Sequence, residues 1–80
     1  MIAKLLYNHF MSISLRLKLG KNIKSLRLEA KLTQEQLAEL SGVGYKHIQE
    51  IEGKHPASTK IDTLEKIAKA LRTTPANLLE

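Results

Sequence analysis

Eighty residues provide for one domain around one hydrophobic core, and a chain of this size buries only about 60% of its unfolded surface. A core that small does not readily enclose a substrate pocket, which argues against an enzyme. Cysteine is absent, which excludes a disulfide framework and a thiolate metal site and leads to the expectation of a reducing, cytoplasmic location.

Thirteen Lys and Arg against eight Asp and Glu give a formal charge of +5. The excess lies early: residues 1–31 carry seven bases and a single acid, Glu29, whereas residues 32–80 carry six bases and seven acids. This asymmetry favours a polyanion, because bases that neutralise phosphates release condensed counterions, although a solvated basic helix has the same composition. The opening MIAKLLYNHF is apolar but is interrupted by Asn8, His9 and then Arg16, too soon for an export signal or a membrane span. Residues 1–14 are read as an N-terminal extension, packed on the domain, in contact with a second subunit or flexible, with Ile2, Leu5, Leu6 and Phe10 near helical spacing.

Leucine, lysine, glutamate and alanine dominate the chain, so helices are expected throughout. The first spans about residues 17–30, with Leu19, Ile23, Leu26 and Ala30 on one face and Lys18, Lys21, Lys24 and Arg27 or their neighbours on another. Thr33 opens the second helix as N-cap, with Gln36 completing a capping box. It runs to about Ser41, where Gly42 closes it in the left-handed conformation. Gly44 caps a third helix from Tyr45 to Glu52, which buries Ile48 and Ile51 and ends at Gly53. KHPASTK, residues 54–60, reads as a loop around Pro56. DTLE has capping-box spacing and predicts a fourth helix from Asp62 or Thr63, with Leu64, Ile67, Ala68 and Leu71 on one stripe. Thr74 and Pro75 start a short fifth helix.

The informative unit is TQEQLAELSGVGYKHIQEIEG, residues 33–53. Two short helices joined by a few residues that include glycine must meet steeply, which is a helix-turn-helix. Leu37 and Ala38 face inward and Val43 plugs the bend. Tyr45, Lys46, Gln49 and Glu50 are left outside the third helix.

With LGKNIKSLR, LTQEQLAELSGV, IQEIEG and DTLEKIAKAL in that order, the chain resembles the phage repressor and Cro-like helix-turn-helix (XRE) family from about residue 19 to residue 79. The resemblance implies an all-α, compact five-helix lambda-repressor-like DNA-binding domain over residues 15–80. It implies a sequence-specific transcriptional regulator, most simply a repressor that binds a palindromic operator as a homodimer. Tyr45, Lys46, Gln49 and Glu50 fall where the family reads bases. Lysine suits guanine O6 and N7, glutamine suits adenine, and glutamate suits cytosine N4. Gln34, Lys18, Lys21, Gly44 and Lys54 are the expected phosphate contacts, and Gln34 is also expected to brace the recognition helix. Arg27 and Glu52 match a structural ion pair between the first and third helices. Gly53 follows Glu52 directly, one residue earlier than is usual in relatives. Leu78 and Leu79 are the candidate dimer surface.

Double-stranded DNA is therefore the expected partner, with no membrane, cofactor or metal. His9, His47 and His55 are too widely spaced for a ligand set, and the serines have no histidine and acid at a recognisable spacing. The alternative is an antitoxin or adaptor that keeps this fold but binds a protein partner. The acids of the third helix and the apolar N-terminal segment favour that reading.

Overall fold

The computed structural model describes the backbone of residues 2–56 and 58–80, and side chains from Ile13 onward apart from position 57. Five helices follow in order: α1 (Ile2–Glu29), α2 (Gln34–Ser41), α3 (Tyr45–Glu52), α4 (Ile61–Ala70) and α5 (Pro75–Leu79). No strand occurs among the described residues. Helix α1 packs on α3 and α5, α2 on α3 and α4, and α4 on α5. The core comprises Leu19, Ile23, Leu37, Val43, Ile48, Ile51, Leu64, Ile67, Ala68 and Leu78, with Leu26, Ala38, Ala70 and Leu71 packed against it.

Local chemistry explains most boundaries. The Thr33 hydroxyl accepts from Gln36 N at 3.0 Å, and Gln36 Oε1 accepts from Thr33 N at 2.8 Å, a complete capping box. Gly42 closes α2 at φ 73°, donating to Ala38 O at 2.9 Å. At α5 the Thr74 hydroxyl accepts from Asn77 N at 3.2 Å, and Pro75 occupies the first turn, where its missing N–H costs nothing.

Four expectations are corrected. Helix α1 begins at Ile2 rather than near Leu17, so the backbone before residue 15 continues the domain's first helix; the side chains of Ile2, Leu5, Leu6, His9 and Phe10 lie outside the described residues. Ala30 is exposed in the turn after α1, not on its buried face, because the helix closes one residue earlier. There Lys31 takes φ 60° while Leu32 N donates to Arg27 O and Lys31 N to Leu28 O, each at 3.0 Å. Helix α4 starts at Ile61 on an N-cap of Lys60 with no side-chain cap. Leu64 N reaches Lys60 O at 3.0 Å, so Asp62 and Thr63 are already inside the first turn and DTLE makes no capping box. Leu78 is fully buried, and Asn22 Nδ2 donates to its carbonyl at 2.8 Å, fastening α5 to α1. That leaves Leu79 alone, 42% exposed, of the two candidate dimer residues.

Helix α1 meets α3 where Gly20 lies. A Cβ built there would overlap the backbone carbonyl oxygen of Ile51, with the Ile51 carbonyl carbon at 3.2 Å and Glu52 Cα at 3.4 Å. Hydrogen at this position is what lets the two backbones touch.

Candidate nucleic-acid interface

Helix α3 is only two turns long, and isolated helices of that length do not persist in water. Its rigidity must come from packing. Ile48 and Ile51 are buried to 0% and 1% exposure, which anchors one face, and Gly20 lets α1 lie against its last turn. The opposite face carries Tyr45, Lys46, Gln49 and Glu50, all exposed. Lys46 and Glu50, four residues apart, do not pair: Arg27–Glu52 is the one ion pair among the described residues.

That pair fixes the far end of α3. Arg27 Nε donates to Glu52 Oε2 at 2.8 Å and Nη2 to Oε1 at 2.9 Å, a two-bonded fork. Arg27 Nη1 also donates to Leu32 O at 2.8 Å, tying the α1–α2 turn to the same centre. Gln34, the first residue of α2, donates from Nε2 to Glu52 Oε1 at 3.1 Å. One carboxylate thus joins three elements, with side-chain exposures of 8% for Arg27 and 2% for Glu52. The hydrogen bond to Glu52 raises the Arg27 pKa above its ordinary value, against the opposing effect of burial. Arg27 therefore stays protonated, and its contribution to the pair is lost only under strongly alkaline conditions.

At its other end, α3 has Gly44 as N-cap and no side-chain cap. The first N–H groups of α3 therefore have no partner within the helix. Gly44 is exposed, and beyond its chain neighbours nothing packs within 4 Å of where its Cβ would be, so a ligand's oxygens have open access to this backbone.

Lys18, Lys21 and Lys54 are exposed, but they do not form one patch. Lys54 shares a shallow cleft with Arg16, His55, Pro56, Ile13 and Leu17, just beyond the end of α3. Arg16 lies one turn before Gly20 on the α3-facing side, whereas Lys18 is roughly 200° around α1 from Gly20 at 100° per residue. Sequence reasoning missed Arg16, and only the register set by Gly20 identifies it. Gln34 reaches α3 through the Glu52 carboxylate, a contact 18 residues apart in sequence.

Residues 23–78 match the helix-turn-helix family HTH_3. The chain belongs to this helix-turn-helix family. Two solved structures are similar. The restriction-modification controller protein C.AhdI from Aeromonas hydrophila has 30% identity and a TM-score of 0.73, with 79% of this chain and 94% of that chain covered. An HTH_3 family transcriptional regulator from Vibrio cholerae has 27% identity and a TM-score of 0.77, with 84% of this chain and 37% of that one covered. The helix-turn-helix domain thus spans about a third of that second protein. No curated protein matches the sequence. The matched residues contain α2, the turn and α3, together with Arg27 and Glu52.

Proposed function

We propose that this helix-turn-helix protein is a sequence-specific DNA-binding regulator that inserts α3 into the major groove and represses transcription as a dimer on a twofold-symmetric operator. The observation that carries this reading is the two-sided character of α3. Its isoleucines are fully buried and its base is locked by the Arg27–Glu52–Gln34 centre, while four polar or aromatic side chains stand free on the outside. A helix held this way presents a fixed pattern of donors and acceptors, which is what reading base edges requires.

In this reading Lys46 and Gln49 donate to purine edges, Glu50 accepts from cytosine, and Tyr45 meets a thymine methyl or a phosphate. The open backbone at Gly44 takes a phosphate, as do Lys54 and, beside it, Arg16. Gln34 has a second amide hydrogen beyond the one given to Glu52, and that hydrogen is free for a phosphate oxygen. Lys18 and Lys21 add sequence-independent attraction.

One α3 spans too few base pairs to define a site, so a second subunit is required. Support for a pairing surface comes from Leu15 and Leu79, 46% and 42% exposed, which line one cleft with Leu19 and Leu64, and from Ile61, 71% exposed, one turn before Leu64 on α4.

Selection from random duplex DNA near physiological salt tests the proposal. A twofold-symmetric site whose preference changes with Lys46→Ala and Gln49→Ala is expected. Absence of any enriched sequence would overturn base reading.

A further inference from the structure

A second surface belongs neither to α3 nor to the Leu15–Leu79 edge. The C-terminal ends of α1, α2 and α4 converge on a groove of about 880 Å³ that contains no residue of α3. Leu32, Leu40 and Leu71 supply its apolar lining, and Lys66, Lys69 and Arg72 its charge, with no carboxylate among the lining residues. Leu40 is 62% exposed.

Ordinary structural roles account for only part of this. Lys69 lies in the last turn of α4 and complements that helix's dipole. Lys66 and Lys69 have Asp62 and Glu65 four residues earlier on α4, yet no ion pair forms with either. Arg72 stands at the left-handed position after α4, φ 57°, where Thr73 N reaches Ala68 O at 2.9 Å and Arg72 N reaches Lys69 O at 3.1 Å. Glycine takes that conformation without strain, so the chain holds a cation at the groove against its backbone preference. Three cations without ionic partners therefore border a leucine-lined groove.

We infer that this groove, bounded by Leu40 and by Lys66, Lys69 and Arg72, is a docking site for an acidic amphipathic segment of another protein. Carboxylates would meet the three cations, and apolar side chains at helical spacing would enter between Leu32, Leu40 and Leu71, the helix-in-groove mode of recognition. DNA fits less well, since a phosphate backbone gains nothing from leucines. A second copy also fits less well, because it would bring a net charge of +5 to a basic groove. The inference is independent of operator binding, as the groove and α3 share no residue.

The test is a titration of the isotope-labelled full chain, without DNA, with a synthetic peptide of glutamates and aspartates carrying leucines at i, i+3, i+4 and i+7, followed by amide shifts. Saturable shifts confined to Leu32, Leu40, Lys66, Lys69 and Arg72 are expected. So is a loss of at least about tenfold in affinity for Lys66→Glu/Lys69→Glu, with a sequence-scrambled peptide binding more weakly. Lys69→Gln, which keeps a good helix former, provides the check if the double variant unfolds, and should weaken binding in the same direction. No saturable binding, or shifts on α3, would overturn the inference. Movement of the groove resonances by duplex DNA instead, or by raising protein concentration alone, would reassign the surface to phosphate or to self-association and would overturn it as well.

Discussion

Replacing Gly20 by alanine separates what the helix prefers from what the fold permits. In an open helix interior this change stabilises by about 1 kcal/mol, since alanine has the highest helix propensity. Here the new methyl would collide with the Ile51 carbonyl oxygen and press on the Ile51 carbonyl carbon and Glu52 Cα, at 3.2 and 3.4 Å. All three obstacles are backbone atoms, so no side chain can rotate away and α1 must lift from α3. Overpacking of this kind costs about 1–3 kcal/mol. Contact with rigid backbone places Gly20→Ala at the upper end, and the propensity gain offsets part of it, for a net loss of about 1–2 kcal/mol. In a domain of 60–100 residues that is a fall of about 10 °C in Tm. Urea unfolding measures it, with an unchanged slope showing that stability alone has moved. Ser25, exposed on the same helix, supplies the control: Ser25→Ala should gain about 0.5 kcal/mol. A Gly20→Ala protein more stable than the parent would refute the close approach of α1 to α3 and, with it, the positioning of the proposed recognition helix.

Arg27→Met strands the Glu52 carboxylate at 2% exposure and should cost about 3–5 kcal/mol, whereas Arg27→Met/Glu52→Leu should recover most of that; chemical denaturation of both variants reads the difference. Gly44→Ala places a methyl in open space at φ −57°, so thermal stability should stay within about 0.5 kcal/mol of the parent. Operator affinity should nevertheless fall several-fold, measured by fluorescence anisotropy, if backbone N–H groups there hold a phosphate. Gly42→Ala is the converse case: φ 73° and nothing nearby should cost about 1–2 kcal/mol from backbone strain alone, visible in the urea midpoint. Lys54→Ala should weaken binding to all sequences alike and flatten the salt dependence by about one unit of slope, while Lys46→Ala should alter base preference at one position.

Much of the fold was legible because its signals are local. Thr33 with Gln36, Gly42, and Thr74 with Pro75 satisfy or end a helix within a few residues of themselves, so their chemistry is written next to the boundary it sets. The buried faces of α2, α3 and α4 were legible from spacings of three and four. The same logic failed at DTLE, where the right spacing fell one residue inside a helix that begins at Ile61. It also fell short at the start of α1, because the near-helical spacing of Ile2, Leu5, Leu6 and Phe10 does not distinguish a continuation of the first helix from a separate extension.

Leu78 and Leu79 are identical in chemistry and adjacent, yet one is fully buried under α1 and the other is 42% exposed; the angle at which α5 docks, fixed by Asn22 on the Leu78 carbonyl, makes the difference. Gly20 reads locally as a weak spot in a helix, and only the backbone of α3, some thirty residues later, turns it into a requirement. The groove edged by Lys66, Lys69 and Arg72 exists because three helix ends converge, which no local window contains. The sequence by itself therefore determined where most helices cap, which faces they bury and which side chains of α3 stand exposed. Tertiary structure alone decided how closely α1 approaches α3, which carbonyl Asn22 holds and which cations become neighbours, because these depend on the relative placement of helices and not on spacing within one.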